Sequence, residues 1–553
     1  MSLLEIALPA GALALAAPMI KRRIDLSRAK HRSLAGHSRM AKRLARWLPG
    51  YAYDETEFFA CDGAAPDVVA QRRAAFEALA AGLASRHPKT LAMTAQAREG
   101  LADLQFTGRY RVPFQFSPIV SERLKVGAFV QSADGVTLTD LDGFRFHDLT
   151  GSYGVNVFGV DFYRACMAEG AARVQDLGLV LGAYHPCVAG NIQRLREISG
   201  MDEVSFHMSG TEAVMQAVRL ARFHTRKRHL VRFPGAYHGW WEDVQPGPGN
   251  PLPPRETYTL ADMSERSLQV LRTRRDIACV LVNPLQALHP NRVPPADSAL
   301  VDSGRQAQFD RAAYTAWLQR LREVCTERGI VLIFDEVFLG FRLAPGGAQE
   351  YFGVKADMVT YGKTLAGGYP VGVVCGRHEL MQRFRADRPA DLCLARGTFN
   401  AHPQVMGGMS VFLERLQTPE VRAVYEGQDA RWNERARRFN DTMEREGLPM
   451  RAANLHSIWT INYTEPSRYN WMLQYLLRWH GVALSWVGTG RLIFSLNFSD
   501  ADFDAVLEKF VRAGRDMREQ GWWAPVAGQS NRGIRRGILR ELIATALGRR
   551  QGA

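Results

Sequence analysis

A glycine-rich turn around Lys363 constrains this chain more than any other segment. The turn follows a short apolar, strand-like stretch that ends at Gly362, and two more glycines, Gly367 and Gly368, lie just beyond it. Glycines let the backbone and a bound molecule approach each other closely, and a lysine amine in such a place can condense with an aldehyde. Most lysines are solvated surface charges, so the turn predicts chemistry only together with a second reactive group.

Asp335 supplies that second group. It ends the strand-like stretch that begins at Ile330, and a charge directly after Val-Leu-Ile-Phe would be costly to bury without a partner. A lysine that forms a Schiff base and a carboxylate that pairs with a pyridinium nitrogen are the two residues that pyridoxal phosphate chemistry requires. Asp335 and Lys363 therefore predict that the chain binds pyridoxal 5'-phosphate.

A predicted helix start offers a place for the phosphate group. Ser209, Gly210 and Thr211 precede residues 214–221, whose apolar spacing is helical. Ser209 is a suitable N-cap, and Glu212 completes a capping-box pattern with it. A helix start presents unbonded backbone N–H groups and the positive end of the helix dipole, so it is a natural phosphate site.

These landmarks together resemble the class III aminotransferases of PLP fold type I, and in particular the glutamate-1-semialdehyde aminomutase branch, over about residues 120–515. The resemblance implies an α/β fold with a PLP-binding large domain, whose sheet is mostly parallel, and a smaller α+β C-terminal domain. A helical N-terminal extension goes beyond the family's minimal pattern. The stretches that carry the resemblance are residues 140–143 with 151–154, 209–213, 237–239, 334–342, 362–363 and 397–403.

The resemblance also implies roles for single residues. Lys363 would hold the cofactor and then move a proton between substrate and cofactor, and Asp335 would keep the pyridine nitrogen protonated. Val337 would pack beneath the ring, Tyr237 would stack on its other face, and Gln286 would lie near the phenolic oxygen. The cofactor-binding positions are Ser209, Gly210, Thr211, Tyr237, His238, Gln286, Asp335, Val337, Lys363 and Thr398.

Thr398 would reach the phosphate from the neighbouring subunit, which implies a homodimer with shared active sites. Some of the other assignments have a plainer alternative. Without the family context, Val337 could be ordinary core, and Tyr237 with His238 could form an ordinary turn.

Two positions depart from the aminomutase pattern. Aminomutases carry an arginine before the first strand that grips the substrate carboxylate, and here Gln115 matches it, with Arg109 and Arg111 close by. They also carry a glutamate late in the small domain, where this chain has Gly490. We expect Gln115 and Tyr153 to face the substrate, and the two missing charges favour transfer between separate molecules over the aminomutase reaction.

The sequence therefore favours an aminotransferase that works in two half-reactions. A small-molecule amino donor would give its amino group to the cofactor, and an aldehyde or ketone acceptor would take it. The acceptor would be apolar, long-chain or lipid-borne, because the carboxylate-reading groups are missing and Tyr110, Phe114 and Phe116 form an aromatic run. The alternatives are an intramolecular aminomutase of the glutamate-1-semialdehyde type and, from another class, a membrane-associated scaffold without catalysis.

Charge is concentrated at the two ends of the chain. The first 50 residues hold ten lysines and arginines against two acidic residues, and residues 531–553 hold six arginines against Glu541. The body is therefore nearly neutral although the whole chain carries +14, and it contains no recognisable nucleic-acid-reading module, so we expect no nucleic-acid partner. Seven cysteines without a CxxC pair predict reduced thiols in the cytoplasm and no metal site.

The ends themselves predict contacts with a surface. Leu3–Ile20 is apolar except for Glu5 and is followed by basic residues. It is short for a membrane span and contains Pro9 and Pro18, which favours a shallow anchor on the inner face of the membrane. Packing of this run on the catalytic body is the alternative. The C-terminal segment is typical of a basic amphipathic helix, which could bind an anionic membrane surface, an acyl-carrier protein or its own protein.

The predicted domain organisation follows from these patterns. It comprises the N-terminal tail 1–50, the helical extension 51–119, the PLP-binding large domain 120–424, the small C-terminal domain 425–528 and the basic amphipathic tail 529–553.

Overall fold

The computed structural model describes residues 17–245, 249–289, 304, 307–485 and 490–549. The chain divides into two compact units. Unit 1 comprises Met1–Ala45, Cys166–Val293 and Asp310–Thr418, and unit 2 comprises Arg46–Ala165, Pro294–Phe309 and Pro419–Ala553.

This division differs from the predicted domain boundaries in one respect. Residues 120–165, which we expected in the large domain, belong to unit 2 together with the predicted helical extension 51–119. The reason is strand pairing, because Arg145–Asp148 lies parallel to Val482–Ala483 in one small sheet.

Unit 1 is built on a seven-stranded sheet, and the predicted mostly parallel sheet is confirmed. In chain order its strands are β1 (Glu203–His207), β2 (His229–Arg232), β3 (Thr257–Thr259), β4 (Ile277–Val282), β5 (Val331–Asp335), β6 (Met358–Gly362) and β7 (Gly372–Gly376). Their spatial order is β1-β7-β6-β5-β4-β2-β3, and β7 runs antiparallel to β1 and β6 while the other pairs are parallel. Every residue of β4, β5, β6 and β7 is buried, as expected for strands covered on both faces.

The predicted site residues follow the carboxyl ends of these strands. Ser209 comes just after β1, Asp335 ends β5, and Lys363 comes directly after β6. Asp335 lies opposite Thr360 of β6 in the register of the sheet. Strands that run in the same direction end at the same edge, so the sheet gathers these residues at one edge, where ligands bind in open α/β sheets.

Helices complete unit 1. The buried face of helix Gly210–Thr225, including Val214 and Ala217, packs on apolar residues of the sheet such as Ile333. A two-stranded hairpin, Phe384–Arg385 with Arg388–Leu392, is also part of this unit. The other helices and 3-10 turns are residues 17–29, Leu34–His37, Gln175–Leu177, Cys187–Ser199, Glu265–Thr273, Pro284–Leu288, Arg311–Arg328, Gly347–Phe352, Lys363–Ala366, His378–Met381 and Pro403–Arg415.

Unit 2 has an aromatic core that the N-terminal extension shares with the C-terminal segment. Phe116 lies 5.0 Å from Trp471, ring centre to ring centre, and Phe58 lies 6.0 Å from the same indole. Trp522 and Trp523 are part of this core. The extension is therefore an integral part of unit 2.

Two small sheets and a set of helices make up the rest of unit 2. The four-stranded sheet contains Ser132–Asp134, Thr137–Thr139, Arg145–Asp148 and Val482–Ala483, and the three-stranded sheet contains Met450–Leu455, Ile458–Tyr463 and Leu492–Ile493. The helices and 3-10 turns are Glu55–Ala60, Pro66–Arg86, Pro88–Gly100, Ala102–Arg109, Ser117–Arg123, Gly151–Gly154, Pro419–Tyr425, Gln428–Arg445, Asn470–Met472, Leu473–Trp479, Asp500–Glu519 and Asn531–Ala546, while Ser38–Trp47 and Val160–Arg173 each include residues of both units.

The predicted C-terminal helix forms and docks on unit 2. Glu541 accepts hydrogen bonds from the hydroxyls of Tyr51 (2.7 Å) and Tyr53 (2.9 Å) and from Nη1 of Arg468 (2.8 Å). Ile534 is buried on the same helix. One face of helix Asn531–Ala546 is therefore used for packing inside this unit.

The N-terminal apolar run Leu3–Ile20 lies almost entirely outside the described residues. From residue 17 the chain is helical up to residue 29, and the side chains of Met19 and Ile20 are exposed. None of the helices formed by described residues combines the length and the apolar character that crossing a membrane requires.

Candidate active site

Lys363 begins a short 3-10 turn, Lys363–Ala366, directly after β6. Its φ of +49° lies in the left-handed region, which costs a non-glycine residue about 1–2 kcal/mol. The turn ends at Gly367, whose φ of +63° suits glycine. The side chain is half-buried, and Nζ lies 5.8 Å from the centre of the Phe338 ring. The fold thus imposes a strained backbone at the one lysine that the sequence singled out, as is common at functional sites.

Asp335 is buried and held by three donors. Its Oδ1 accepts hydrogen bonds from the backbone N–H of Val337 (3.2 Å) and from the hydroxyl of Thr360 (3.3 Å). Its Oδ2 accepts a hydrogen bond from Nδ1 of His238 at 2.7 Å. These contacts fix the orientation of the carboxylate, which a group that must pair with one ring nitrogen requires.

His238 is buried against this carboxylate. Burial lowers the pKa of His238. The hydrogen bond to Asp335 and the charge of that carboxylate raise it, while the cation of Arg232 lowers it. The pKa of His238 is lowered on balance. The lowered pKa favours the neutral imidazole, which can donate its Nδ1–H to Asp335. We predicted it as a cofactor-binding residue, and its contact in the structure is with the carboxylate that would bind the ring nitrogen.

The phosphate helix starts where the sequence predicted. Ser209 is the N-cap of helix Gly210–Thr225, and its Oγ accepts a hydrogen bond from the backbone N–H of Glu212 at 3.2 Å. The reciprocal half of the predicted capping box is different, because the Glu212 carboxylate accepts from the N–H of Met208 at 3.0 Å instead of from Ser209. The residue before the cap is held as well, which fixes the path of the chain from β1 into the helix.

Close contacts join the helix start to the other site segments. A β-carbon on Gly239 would lie 2.6 Å from Oγ1 of Thr211. The turn that carries Tyr237 and His238 therefore touches the phosphate helix. A β-carbon on Gly362, the residue before Lys363, would lie 2.9 Å from the backbone oxygen of Val371 and 3.2 Å from Cγ1 of Val337. The packing of these segments therefore leaves no room for a side chain at Gly239 or at Gly362.

The remaining predicted cofactor residues lie in unit 1 with different environments. Tyr237 is 64 % exposed. Its pKa is raised, mainly by partial burial of the side chain and also by the charge of Asp335. Gln286 is fully buried, and its Nε2 donates to Oδ2 of Asp262 at 3.1 Å. Thr398 lies exposed on the surface of the unit, as a residue that serves a neighbouring subunit would.

The predicted substrate residues Gln115 and Tyr153 both belong to unit 2. Gln115 is buried, and its backbone carbonyl accepts the N–H of Tyr53 at 3.0 Å. Tyr153 is 56 % exposed and has a φ of +55° in the turn Gly151–Gly154. A substrate-facing role for these two residues stays a prediction.

Sequence reasoning missed two residues of the site. Thr360 donates to Asp335, and Arg232 lies buried at the end of β2 near His238. Arg232 could have been found from the same sequence pattern as Asp335, namely a charged residue at the end of an apolar strand. Thr360 could have been found only from the register of β5 and β6.

The residues present fit pyridoxal phosphate. Unit 1 brings together a helix start with free backbone N–H groups, a lysine on a strained turn and a buried carboxylate with fixed donors. The Nε2 atom of His238 and the Oε1 atom of Gln286 are buried without a hydrogen-bond partner among the described residues. The N–H groups, the lysine amine and the carboxylate together match a ligand that combines a phosphate, an aldehyde and a basic ring nitrogen.

Comparison with known proteins agrees with this chemistry. A family model for class III aminotransferases matches residues 120–242 and 310–513. The glutamate-1-semialdehyde 2,1-aminomutase of Alkaliphilus oremlandii is 33% identical over 313 residues, which are 53% of this chain and 68% of that protein. The corresponding enzyme of Desulfotalea psychrophila is 32% identical over 359 residues, or 61% of this chain and 76% of that protein.

Solved structures show the same fold. A transaminase with PLP bound is 27% identical and superposes with a TM-score of 0.62, over 78% of this chain and 99% of that chain. A glutamate-1-semialdehyde aminomutase from Pseudomonas aeruginosa also has a TM-score of 0.62, at 17% identity, over 82% of this chain and 99% of that chain.

Proposed function

The chain belongs to the class III aminotransferases, and we propose that it moves an amino group from a donor amine to a separate aldehyde or ketone. It is a pyridoxal phosphate-dependent enzyme with the type I fold. The observation that supports the proposal most directly is the grouping of Lys363, the fixed carboxylate of Asp335 and the phosphate helix in one unit.

Each of these residues has a chemical task. The bound cofactor supplies an electron-withdrawing ring that stabilises negative charge at the carbon next to the amine. Asp335 would hold the proton on the ring nitrogen, and the N–H groups at the start of helix Gly210–Thr225 would bind the phosphate. Lys363 would hold the cofactor through its amine and would carry the proton taken from the substrate carbon.

We favour transfer between two separate molecules over the aminomutase reaction because two charged residues of the aminomutase pattern are missing. Gln115 and Gly490 stand where the aminomutase pattern has an arginine and a glutamate. An acceptor without a nearby carboxylate, such as a long-chain or lipid-borne aldehyde or ketone, needs neither charge. The second candidate is the aminomutase reaction, which is favoured by the identity of about one third to two glutamate-1-semialdehyde aminomutases.

A donor-dependence experiment separates the two reactions. The holoenzyme is incubated with glutamate-1-semialdehyde, or with aldehydes of increasing chain length, in the presence and absence of amino donors. The proposal expects amine product only with a donor, and a preference for long-chain aldehydes over short keto acids. Rearranged product from glutamate-1-semialdehyde without a donor would establish the aminomutase reaction instead.

We propose a homodimer in which Thr398 of each subunit serves the phosphate site of the other. The exposed position of Thr398 supports this arrangement. Subunits with Lys363→Ala are dissociated and reassociated with subunits carrying Thr398→Ala. Because one of the two sites in a mixed dimer would then be intact, activity should rise above that of either parent. If the mixed sample is no more active than the two parent proteins assayed together, each site is built from one subunit.

We propose an anionic lipid surface as the partner of helix Asn531–Ala546. The packed face of the helix leaves Leu539 and Ile543 exposed at 54 % and 50 %, and Leu547 follows them at the spacing of one turn. Exposed arginines flank this apolar stripe, and such a combination suits the boundary between acidic headgroups and acyl chains. A lipid-borne acceptor would be met there. The flanking residues are Arg532, Arg535, Arg536 and Arg540.

Vesicle sedimentation of the full-length protein tests this partner. Binding to phosphatidylglycerol vesicles and not to phosphatidylcholine vesicles is expected, and Leu539→Asp with Ile543→Asp should abolish it. Met93→Asp with Leu101→Asp removes two exposed apolar residues elsewhere in unit 2 and should leave binding intact. Binding to an acyl-carrier protein without binding to vesicles would contradict the lipid assignment. We place the enzyme in the cytoplasm at the inner membrane face, which suits its seven free thiols.

A further inference from the structure

Arg232 is a buried cation whose charge no carboxylate of the described residues neutralises. It ends β2 and is 3 % exposed. Its Nη2 donates to the carbonyl of Ala236 at 3.0 Å and to that of Phe233 at 3.4 Å. Within the described part of the chain, Nε and Nη1 have no hydrogen-bond partner. Burying a guanidinium without a counter-ion is costly, so a fold that keeps one at the edge of its site gains something else from it.

The backbone contacts of Arg232 tie it to the site. The carbonyl that it holds belongs to Ala236, and the next two residues are Tyr237 and His238. Arg232 therefore fixes the turn that presents His238 to Asp335. The imidazole of His238 is completely buried, with Nδ1 2.7 Å from Oδ2 of Asp335 and Nε2 without a partner among the described residues.

The protonation state of His238 decides how much charge Asp335 can offer. A neutral imidazole donates one hydrogen bond and leaves the carboxylate its negative charge. An imidazolium at the same distance would neutralise that charge, and the cofactor's ring nitrogen would lose its counter-ion. The charged groups that act on His238 are the Asp335 carboxylate from β5, which favours the imidazolium, and the Arg232 guanidinium from β2, which opposes it.

We propose that Arg232 is a positioning residue whose cation keeps His238 neutral, so that Asp335 offers its full negative charge to the cofactor's ring nitrogen. Burial lowers the pKa of Arg232 to about 10, so the guanidinium stays charged at neutral pH. Burial and the Arg232 cation both lower the pKa of His238. The unpaired cation thus has a function that its backbone hydrogen bonds alone do not explain.

The direct test titrates His238 without the cofactor. The apo-protein is labelled with ¹³C at the histidine ring Cε1, and the signal of His238 is identified by its loss in His238→Gln. We expect Arg232→Met to increase the proton affinity of His238 by about tenfold or more, and Arg232→Lys to leave it close to the wild type. Arg228→Met, which removes an exposed cation directly before the same strand, is the matched control. An unchanged titration in a folded Arg232→Met protein would overturn the proposal.

A second test uses the holoenzyme. Arg232→Met should lower the rate of the donor half-reaction near neutral pH, and the rate should recover as the pH rises and His238 loses its extra proton. In a His238→Gln background, where the residue cannot become charged, Arg232→Met should have little effect. An equal loss of rate in both backgrounds would show that Arg232 only supports the fold. If Arg232→Met does not fold, Arg232→Gln and Arg232→Lys are compared in the same titration. The neutral glutamine should raise the proton affinity of His238 about tenfold and the charged lysine should not, and equal affinities in the two variants would overturn the proposal.

Discussion

Gly210 and Val337 approach each other so closely that a β-carbon on Gly210 would lie 2.6 Å from Cγ1 of Val337. Gly210 is the first residue of the phosphate helix, and Val337 follows the strand that ends in Asp335. The contact therefore joins the helix start proposed to bind the phosphate to the segment after Asp335, the residue proposed to bind the ring nitrogen. The spacing of these two ends is set by a glycine and a β-branched side chain.

Gly210→Ala should weaken cofactor binding, because the added methyl must push Val337 away from the helix start. We expect the dissociation constant for pyridoxal phosphate, measured by absorbance titration of the apo-protein, to rise at least tenfold. Val337→Ala in the same protein removes both clashing methyl groups and should restore much of the affinity. Gly100→Ala is the control, since nothing lies within 4 Å of a β-carbon at that position. Equal affinity of Gly210→Ala and wild type would show that the two segments move apart freely.

Lys363→Ala should lose both the attachment of the cofactor and the proton transfer. The rate should fall by about 10²- to 10⁴-fold, the usual contribution of a positioned acid–base group. After borohydride reduction and denaturation, mass spectrometry should find the cofactor on the peptide that contains Lys363 in the wild type and on no peptide of the variant. Lys355→Ala, an exposed lysine of the same unit, should behave like the wild type. Labelling of another lysine would contradict the assignment.

Asp335→Asn should reduce the rate while keeping the fold. The amide keeps an oxygen for the N–H of Val337 but no negative charge for the ring nitrogen. Removing one preorganised electrostatic partner costs about 10²- to 10³-fold, measured here as the single-turnover rate of the donor half-reaction. Thr360→Val removes one hydrogen bond to the same carboxylate but not its charge, and its effect should be at least tenfold smaller. Similar losses in the two variants would mean that orientation, and not charge, is what Asp335 provides.

Glu541→Gln should loosen the C-terminal helix. The carboxylate accepts from two tyrosine hydroxyls and pairs with the buried Arg468, which would be left without its counter-ion. We expect a loss of about 1–3 kcal/mol in the free energy of unfolding of this region, seen as faster hydrogen exchange in helix Asn531–Ala546. Arg540→Gln changes the neighbouring exposed residue and should leave the exchange unchanged. Equal exchange in both variants would mean that apolar packing alone holds the helix.

Glu336 should make stability depend on pH. Burial raises the pKa of Glu336 to about 8, well above its value of about 4.3 in an unfolded chain. Between pH 5 and 8 the folded protein therefore binds one proton more than the unfolded chain, and the free energy of unfolding should fall by up to about 1.4 kcal/mol per pH unit as the pH rises. Urea unfolding at pH 6 and 8 measures this slope. Glu336→Gln should flatten the pH slope, and Glu323→Gln, at an exposed position, should leave it unchanged. A slope that persists in Glu336→Gln would mean that other groups cause it.

The reactive residues of the site could be predicted from the sequence, but the residues that hold them in place could not. Asp335 and Lys363 could be identified because each is a reactive residue directly at the end of an apolar stretch. Thr360 and Arg232 could not be assigned to them, because their contacts depend on strand register and on a turn that brings His238 against Asp335. Such contacts join residues far apart in sequence, and no local pattern marks them.

The two-unit division was harder to predict for the same reason. The short strand Arg145–Asp148 has no feature that points to Val482–Ala483, its partner more than 300 residues later. Local patterns did predict the helix start at Ser209, because a capping side chain bonds within its own turn. The Glu212 carboxylate, whose partner is Met208, shows that even a cap motif can bond one residue away from its expected position.

The hydrogen bond between Tyr51 and Glu541 joins residues that are 490 positions apart. A ribosome adds about 5–20 residues per second, so the aromatic side chains around Phe58 and Phe116 emerge tens of seconds before Trp471 and the C-terminal helix that cover them. Until then this apolar surface is open to chaperones or to wrong partners. Unit 2 therefore matures only after translation ends, and a chain truncated near residue 530 would leave the ribosome without the carboxylate that neutralises Arg468.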